Sequence, residues 1–300
     1  MKTLRERAVK FIANPVSGNG KTRRILPKLI SLVRKLGIKF DIEWTQAPQH
    51  ATEIAKNTSD EFEIIVAVGG DGTINEVASG LLLTDKVLGI VPTGSGNDFA
   101  RTLGRLKDLK DWVYSLVAGR IKRIDVGTIN LGNDGYVFVN GVGIGFDAEV
   151  ARQSEHFRRL KGLPRYLVSL VKTLKSYKSV KMKLEIDGQV AREGRTFLVA
   201  IGNGTSAGGG FLLTPNAKLD DGLLDVCAVD EVSIARVVQV LPSVLKGTHS
   251  KHPEVSMFTA HHLKISSDDP LAIHRDGEIV PNRIQELTVD IHPHSLNVIA

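Results

Sequence analysis

Residues 64–76 constrain the fold of this chain more than any other segment, because they pass from an apolar run through a glycine-rich turn into a helical pattern. Five consecutive apolar residues at 64–68 are typical of a parallel strand that is covered on both faces. Residues 73–83 carry apolar side chains at the spacing of an amphipathic helix. The intervening Gly69, Gly70 and Gly72 predict a sharp turn, at which a phosphate can approach bare backbone N–H groups at a helix start.

Asp71 stands among these glycines and carries the wrong charge for a bare phosphate. It is therefore predicted to reach a magnesium ion or the water shell of that ion, since Mg²⁺ prefers oxygen ligands. The alternative is a plain strand-to-helix turn with an aspartate near the N-cap. Three glycines are more than such a turn needs, which favours the phosphate interpretation.

A second glycine turn follows within one strand–helix unit. Residues 87–91 predict the next strand, and residues 92–101 lead from it into a short helix. Open α/β sheets bind ligands outside the carboxyl ends of their strands, so the two turns are expected to share one crevice. Ser95, Asn97 and Asp98 are the polar groups of the second turn, and each is alternatively a helix cap.

The remaining periodicity divides the chain into two parts. Strand and helix patterns alternate over residues 8–128, which predicts a doubly wound parallel sheet. From about residue 130 the pattern is β-rich and predicts a mainly antiparallel domain over residues 129–286, with a hairpin turn at Asp187 and Gly188. The predicted strands are 8–13, 38–44, 64–68, 87–91, 136–140, 181–187, 196–202, 223–229, 263–266 and 296–299, and the predicted helices run through residue 36, over 51–57 and over 73–83.

Composition is that of a globular protein, with 42% hydrophobic and 24% charged residues. No apolar run reaches the length of a spanning helix, and the first residues lack the apolar core of a signal peptide, so we expect a cytoplasmic protein. The single cysteine, Cys227, lies in an apolar run and is expected to be a buried core thiol.

Positive charge is concentrated between Arg152 and Lys183, where ten Lys or Arg residues face one acidic residue, Glu155. Apolar residues at helical spacing within it predict a basic amphipathic helix over about residues 157–178. Such a helix is either an ordinary surface helix or a membrane-surface element, because basic residues are attracted to anionic lipid. The apolar residues at that spacing are Tyr166, Leu167, Leu170, Val171 and Leu174, and the basic residues assigned to a membrane contact are Arg158, Arg159, Lys161, Arg165, Lys172 and Lys175.

Two other motifs are incomplete. The sequence Gly20-Lys21-Thr22 ends like a P-loop, but Pro15 occupies the position of the first glycine and cannot donate an N–H. Residues 143–148 match a dinucleotide fingerprint, yet they lie in the β-rich half and no acidic residue follows about twenty positions later. The nine histidines show no arrangement with carboxylates or thiols that predicts a zinc site.

Several motifs together resemble one family. Residues 69–76, Gly-Gly-Asp-Gly-Thr-Ile-Asn-Glu, and residues 94–99, Gly-Ser-Gly-Asn-Asp-Phe, are similar to the catalytic domain of diacylglycerol kinases and related lipid kinases in their soluble bacterial form. NAD kinases and phosphofructokinases share only the Gly-Gly-Asp-Gly core. The resemblance continues in the same order at residues 14–18, 124–127, 208–211, 220–225 and 276–278.

The resemblance implies an α/β fold with an NAD-kinase-like nucleotide-binding domain and a C-terminal antiparallel β-sandwich domain that accepts the lipid. It implies that residues 287–300 return to the first domain. It further implies an ATP-dependent kinase that transfers the γ-phosphate to a lipid hydroxyl, most simply that of diacylglycerol. The residues that the resemblance implies to contact ATP are Asn14, Pro15, Val16, Ser17, Gly18, Thr45, Gly69, Gly70, Asp71, Gly72, Thr73, Ile74, Asn75 and Ser95.

The same resemblance assigns the catalytic carboxylates and two magnesium sites. Asp71, Asp98 and Asp125 would organise the catalytic Mg²⁺, and Glu278 would be the general base for the lipid hydroxyl. The alternative for the latter segment is that Asp276 and Gly277 form only a hairpin turn. A second, structural Mg²⁺ would bind the backbone carbonyls of Lys218 and Leu223 and the carboxylate of Asp221. If the motif is shifted by one residue, Asp220 would be the carboxylate ligand.

Two alternatives stay open from the sequence: an NAD-kinase-like enzyme and a non-catalytic lipid or nucleotide sensor. The four carboxylates disfavour a sensor, which has no need of a base. The expected partner is a lipid at the membrane surface, without nucleic acid and without a transmembrane segment, so the protein would be peripherally membrane-associated. A homodimer is compatible with this interpretation, and the sequence decides neither the oligomeric state nor the lipid.

Overall fold

A computed structural model describes residues 7–104, 108–132, 134–157, 160, 163–281 and 283–300. The chain forms two compact units, of which the first comprises Met1–Ile124 and His294–Ala300 and the second comprises Asp125–Pro293. The first unit is therefore discontinuous in sequence. None of the helices in the described part of the chain is long and apolar enough to cross a membrane.

Strands and helices alternate in the first part of the chain, and strands dominate the second. The elements up to the unit boundary are β1 (Ala8–Ala13), α1 (Ser17–Lys35), β2 (Phe40–Trp44), α2 (His50–Asn57), β3 (Phe62–Gly69), α3 (Asp71–Leu81), β4 (Val87–Pro92), α4 (Asp98–Thr102), α5 (Leu109–Ala118) and β5 (Ile121–Leu131). The later elements are β6 (Asp134–Phe138), β7 (Gly141–Gly145), α6 (Phe146–Ser154), α7 (Leu163–Leu174), β8 (Val180–Ile186), β9 (Gln189–Gly202), β10 (Leu224–Asp230), α8 (Ile234–Leu245), β11 (Val255–Ala260), β12 (His262–Leu271), β13 (Ile273–Arg275), β14 (Glu278–Ile279) and β15 (Ile284–Ile299).

The first unit is built on a parallel sheet in the order β2, β1, β3, β4. The end of β15 extends this sheet, because Asn297 and Val298 pair in parallel with Val87 and Leu88 of β4. Every side chain from Ile64 to Val68 in β3 is fully buried, as expected for a strand with helices on both faces. The predicted parallel α/β fold is confirmed.

Helix α3 begins at Asp71 and ends at Leu81, whereas the apolar pattern predicted residues 73–83. Leu83 has a φ of 59° and is 87% exposed, so the chain leaves the helix before this residue. A leucine in the left-handed region cannot continue an α-helix. The apolar side chains at 82 and 83 therefore belong to the connection to β4.

The second unit is an antiparallel β structure in the order β14, β13, β7, β9, β8, β12, β15. Strand β9 is long enough to pair with three strands, because Gln189–Gly202 contacts β8 with one part and both β7 and β10 with the rest. The β8–β9 hairpin turns at Asp187 and Gly188, which have φ values of 49° and 83°. This is the two-residue turn predicted from the sequence.

Alternating side chains of β9 and β10 contribute to two hydrophobic clusters. Val199 and Ile201 belong to a first cluster, which consists mainly of strand residues. Leu198 and Ala200 belong to a second cluster, which also contains residues of α6 and α7. In β10, Cys227 likewise belongs to the second cluster, and it is fully buried as predicted. The period of two in a strand explains how one sheet supplies both cores.

The predicted basic amphipathic helix is present, but it is shorter than residues 157–178. Helix α7 spans only Leu163–Leu174, and β8 begins at Val180, so the later basic residues lie on a turn and a strand. Val171 is 57% exposed and does not pack inward with Leu170 and Leu174. Arg158, Arg159 and Lys161 lie outside the described residues.

Candidate functional site

The predicted nucleotide residues of the first unit follow the carboxyl ends of the four parallel strands. Asn14 follows β1, Thr45 follows β2, residues 70–75 follow β3, and Ser95 follows β4. The strand ends are in register, since Ala13 pairs with Trp44 and with Val68, and Gly69 pairs with Pro92. These segments therefore lie at one edge of the sheet, where α/β proteins bind ligands.

The two glycine turns are in direct backbone contact. A Cβ added to Gly94 would lie 2.5 Å from the Cα of Gly70, and a Cβ added to Gly70 would lie 3.1 Å from the Cα of Gly94. The N–H of Thr93 donates to the carbonyl of Gly69 over 2.7 Å. Side chains at positions 70 and 94 would therefore separate the turns, which explains why both positions carry glycine.

The Asp71 carboxylate holds the second turn. It accepts hydrogen bonds from the N–H of Asn97 over 2.8 Å and from the N–H of Phe99 over 3.3 Å, so it caps the start of α4. Asp71 is thus a capping residue, but of α4 and not of α3, the helix that it begins.

Asp71 and Asp98 converge on Gly96. A Cβ at Gly96 would lie 3.1 Å from Oδ2 of Asp71 and 3.0 Å from Oδ2 of Asp98. Two carboxylates on one small backbone segment repel each other unless positive charge is supplied. The donor set at this position therefore fits a hard cation such as Mg²⁺.

The loop after β1 is tied to the same turns. Asn14 accepts from the N–H of Val16 over 3.1 Å and donates through Nδ2 to Oγ1 of Thr73 over 3.0 Å. Oγ of Ser17 accepts from Oγ1 of Thr93 over 3.2 Å. The other residues predicted to contact ATP differ in burial. Half-buried are Pro15, Gly18, Gly72 and Ser95, buried are Thr45, Ile74 and Asn75, and exposed is Val16.

Helix α1 starts with an unusual turn. Gly18, Asn19 and Gly20 all have positive φ, of 59°, 57° and 78°. A Cβ at Gly18 would lie 2.0 Å from the carbonyl oxygen of Thr93, so this glycine permits the approach of the loop to the second turn. The buried Oγ1 atoms of Thr22 and Thr93 are 2.7 Å apart and join the same region.

In the second unit, Asp125 lies against the loop that carries the predicted second metal site. Its side chain is fully buried, and Oδ2 accepts from the N–H of Gly222 over 2.7 Å. Its N–H donates to the carbonyl of Leu219 over 2.6 Å. Asp125 thus fixes residues 219–222, which is a different contact from those of Asp71 and Asp98 in the first unit.

The loop from Lys218 to Leu223 is acidic. Oδ1 of Asp221 accepts from the N–H of Leu223 over 3.2 Å. Burial, together with the nearby Asp221 carboxylate, raises the pKa of Asp225 to about 6, although Lys218 opposes the shift. In the described residues no group of three or more His, Cys, Asp and Glu side chains could hold a metal, but the predicted site would use two backbone carbonyls.

Glu278 begins β14 directly after a two-residue hairpin turn. Asp276 and Gly277 form the turn, with φ values of 46° and 82°. Glu278 is half-buried, and its Oε2 lies 3.6 Å from a guanidinium nitrogen of Arg275. The turn therefore presents a carboxylate beside a fixed positive charge.

Asp276 anchors this hairpin to the β6–β7 connection. Its carboxylate accepts three backbone N–H bonds, from Val139 over 2.9 Å, from Asn140 over 3.0 Å and from Gly141 over 2.8 Å. Asn203 links the same connection to Asp125, because its Nδ2 donates to the carbonyls of Asp125 and Val139, each over 2.8 Å. A hydrogen-bonded chain thus joins Asp125 to the Glu278 hairpin within the second unit.

An apolar cavity lies between the sheet and the helices of the second unit. Side chains of α7 and α8 form part of its wall, and Phe146, Phe197 and Phe211 line it. Its lining, which is mostly apolar with a few polar groups, is typical of a small-molecule site. The polar lining residues are Asp147, Tyr166, Arg236, His249 and Glu254.

Asp147, Tyr166 and His274 form a buried polar group that the sequence analysis missed. Oδ2 of Asp147 lies 2.9 Å from Nε2 of His274, and Oδ1 accepts a short hydrogen bond from the Tyr166 hydroxyl. Burial acts to raise the pKa of Asp147, but the His274 imidazole and the Tyr166 hydroxyl outweigh it and hold that pKa below its usual value.

Gly143 explains why the fingerprint at residues 143–148 is not a dinucleotide site. A Cβ there would lie 2.2 Å from Nε2 of His274 and 2.3 Å from Oδ2 of Asp147, so the glycine makes room for this pair. An aspartate directly after the apolar residues 142–146 was the available signal. Its partners, 19 and 127 residues away, were not apparent from spacing.

Two family models match the chain. Residues 8–129 match the Diacylglycerol kinase catalytic domain, and residues 140–300 match the YegS C-terminal NAD kinase beta sandwich-like domain. A diacylglycerol kinase of Staphylococcus saprophyticus is 30% identical over 279 residues, which cover 92% of this chain and 90% of that protein. A diacylglycerol kinase of Bacillus subtilis is 30% identical over 292 residues and 94% of each chain.

Solved structures share the fold over nearly the whole chain. The crystal structure of a diacylglycerol kinase from Bacillus anthracis str. Sterne aligns with a TM-score of 0.73 and 23% identity, covering 98% of this chain and 96% of that one. An NAD kinase from Archaeoglobus fulgidus in complex with ATP aligns with a TM-score of 0.57 and 12% identity, covering 98% and 93%. With the sequence relatives at 30% identity, these matches establish that the chain belongs to the diacylglycerol kinase family.

Proposed function

We propose that this kinase transfers the γ-phosphoryl group of ATP to the hydroxyl of a lipid, most simply diacylglycerol. The names of the relatives support a lipid acceptor, and the ATP complex of the NAD kinase with the same fold supports the nucleotide. The two contacting glycine turns are the candidate nucleotide site of the first unit, and the apolar cavity is the candidate acceptor site of the second. The product would be a lipid phosphomonoester.

The cavity is the observation that carries the lipid assignment. A phosphate turn is common to many kinases, whereas an NAD acceptor is polar along its whole length and gains little from an aromatic and aliphatic wall. Phe146, Phe197 and Leu213 offer hydrocarbon contact, which stabilises a bound chain by about 25 cal/mol for each Å² of buried apolar surface. Asp147 and Tyr166 would meet the polar end of the acceptor.

The first unit would hold the nucleotide. Backbone N–H groups of the turns at Gly69–Gly72 and Gly94–Gly96 would cradle the phosphates, with Asn14 fixing the loop after β1. Asp71 and Asp98 would hold Mg²⁺ directly or through water. When bound, this ion neutralises charge on the transferring phosphoryl group, which is the main requirement of such a reaction. Asp71 would at the same time keep α4 in position.

Glu278 would accept the proton of the lipid hydroxyl while the hydroxyl oxygen attacks the γ-phosphorus of ATP. The bond from the γ-phosphorus to the bridging oxygen of the β-phosphate would break, and ADP would leave. Proton transfer to a placed carboxylate contributes on the order of 10² to 10⁴ in rate. Asp276 is a positioning residue, since its three backbone bonds fix the hairpin that carries Glu278. Asp125 would act from the second unit, through the loop at residues 219–222.

A second Mg²⁺ would be structural. The carbonyls of Lys218 and Leu223 and the carboxylate of Asp221 are its proposed ligands, and the acidic surroundings of Asp225 favour a cation there. Asp221→Ala is expected to lower both the melting temperature and the activity, and Asp220→Ala to do less. The opposite ranking would move the site by one residue.

Location at a lipid surface follows from the acceptor. We place the protein in the cytoplasm with peripheral attachment to membranes, to which Arg165, Lys172 and Lys175 would contribute by electrostatic attraction. A homodimer is compatible with this proposal. Size-exclusion chromatography with light scattering would measure the oligomeric state.

The test is transfer of ³²P from ATP to a panel of acceptors in mixed micelles: diacylglycerol, phosphatidylglycerol, a sphingoid base, a polyprenol and, separately, NAD. We expect one lipid to be labelled, and Glu278→Gln to lower kcat at least about 10²-fold with little change in the affinity for ATP. The matched control is Glu286→Gln, which changes an exposed carboxylate of the same unit. Labelling of NAD alone, or ATP binding without turnover on any acceptor, would replace the proposal by NAD kinase or sensor.

A further inference from the structure

Helix α8, Ile234–Leu245, has one broad apolar face, opposite the polar residues Arg236, Gln239 and Ser243. Val237, Leu241 and Val244 turn towards the second cluster and the cavity, as the sheet-facing side of a surface helix does. Ile234, Val238 and Leu245 are 53%, 59% and 36% exposed, and no residue of this helix is fully buried. The apolar face of a surface helix normally packs against the core, so the exposed part of this face is unusual.

The exposed apolar side chains form one ridge. At 3.6 residues per turn, Ile234, Val238 and Leu245 lie within about 40° of one another when viewed along the helix axis. Among the described residues of the second unit, the other large exposed apolar side chains are Leu160, Val168 and Val171, at or before α7, and Val190 on β9. Exposed hydrocarbon is thus concentrated on the two helices whose inner sides line the cavity.

Charge around the ridge identifies what covers it. The segment between Glu231 and Glu254 contains Arg236, Lys246 and Lys251 and no acidic residue. Arg236 pairs with Glu254, whereas Lys246 and Lys251 are exposed beyond the end of the helix. An apolar ridge bordered by lysines is complementary to an anionic bilayer, where the ridge meets acyl chains and the lysines meet headgroups.

We propose that α8 inserts its Ile234–Val238–Leu245 ridge into the acyl region of an anionic membrane. The acceptor would then enter the cavity beneath α8 without leaving a hydrocarbon environment. The second statement rests on the proposed lipid-kinase function, whereas the insertion itself does not. The attraction differs from that of the basic residues of α7, because hydrocarbon contact is not screened by salt.

The experiment uses the full chain with a polarity-sensitive dye attached at Val238→Cys. Cys227 is buried, and burial raises its pKa to about 12, so the introduced thiol reacts selectively. On vesicles of phosphatidylglycerol and phosphatidylcholine, we expect a blue shift and quenching by spin-labelled acyl chains. Val190→Cys is the matched control, since Val190 is 56% exposed on a strand of the same unit.

A second measurement uses Ile234→Gln/Val238→Gln/Leu245→Gln, which keeps good helix formers at exposed positions. Its dissociation constant for the vesicles should rise about tenfold or more, at low salt and at 1 M NaCl alike, whereas Val190→Gln should bind as the wild type does. Turnover of a short-chain soluble acceptor should be retained. If the wild type itself does not turn over this acceptor, the lipid-kinase proposal is refuted, whereas the result on membrane insertion is unaffected.

Equal dye signals at positions 238 and 190 on vesicles would overturn the insertion. So would a blue shift at position 238 in the absence of lipid together with a dimer that the triple variant converts to monomer, because the ridge would then be covered by a second copy. An unchanged vesicle affinity of the folded triple variant would overturn it independently of the dye.

Discussion

Removal of the Asp276 carboxylate should destabilise the hairpin that carries the candidate base. Asp276→Ala leaves the N–H groups of Val139, Asn140 and Gly141 without their acceptor, and the first two of these bonds are buried. A buried donor left without a partner costs about 1 to 3 kcal/mol, so the three together cost about 4 kcal/mol. Alanine at the φ of 46° adds about 1 kcal/mol, because the left-handed region suits Asp and Asn better.

Asp276→Asn separates these contributions. Asparagine tolerates the left-handed conformation and keeps one oxygen, which can retain the bonds from Asn140 and Gly141, both made to Oδ1. Only the bond from Val139 is lost, so the expected cost is about 2 kcal/mol. The ranking of the two substitutions is therefore more informative than either value alone.

Urea unfolding followed by far-ultraviolet circular dichroism measures the global loss, and hydrogen exchange of a peptide covering residues 137–141 measures the local one. Asp269→Ala, at an exposed position of the same unit, should stay within about 0.5 kcal/mol of the wild type. If Asp276→Ala unfolds within about 1 kcal/mol of the wild type with these amides still protected, the three bonds do not hold the hairpin.

Three further outcomes are expected. Gly94→Ala should cost about 3 kcal/mol and abolish ATP binding in calorimetry, because its Cβ would meet the Cα of Gly70 at 2.5 Å, whereas Gly135→Ala, with 3.7 Å to its nearest neighbour, should not. Burial lowers the pKa of His249, so the unfolded imidazole takes a proton near pH 6.5 that the folded one resists. The free energy of unfolding should therefore fall as the pH drops below about 6.5, and His249→Gln should flatten this part of the urea-midpoint profile. Replacing Lys172 and Lys175 by Gln should weaken binding to anionic vesicles in sedimentation by about 1 kcal/mol per charge, with the loss vanishing at high salt.

Local patterns predicted the strands and turns well where one physical cause dominated. Strand β1 has the predicted bounds, and the run at residues 64–68 is the buried centre of β3, because continuous apolar sequence suits only a doubly covered strand. The hairpin at Asp187 and Gly188 was also predicted, since few residue pairs accept two positive φ values.

The bounds of the basic helix were predicted less well than its existence. The basic segment spans α7, a turn and β8, because lysines and arginines are compatible with all three. Pro164, at the second position of α7, was the better signal for where that helix starts. The end of α3 depended on the backbone of Leu83, which an apolar pattern does not encode.

The site could be predicted only where its residues are close in sequence. The glycine turns were apparent at once, but the bond from Asp71 to α4 spans 26 residues and that from Asp276 to the β6–β7 connection spans about 136. The group of Asp147, Tyr166 and His274 forms only after three separate segments have packed. Long-range polar contacts of this kind leave no periodic trace in a single sequence.

The discontinuity of the first unit has a consequence for biosynthesis. Strand β4 acquires its outer neighbour only from Asn297 and Val298, so the ribosome must deliver residues 125–293 before that edge can be paired. During this interval Val87 and Leu88 lie at an open edge, and open edges of apolar strands are sites of aggregation. The nascent first unit would therefore be a natural client for a chaperone. A shortened chain that keeps residues 7–124 intact would still carry that exposed edge.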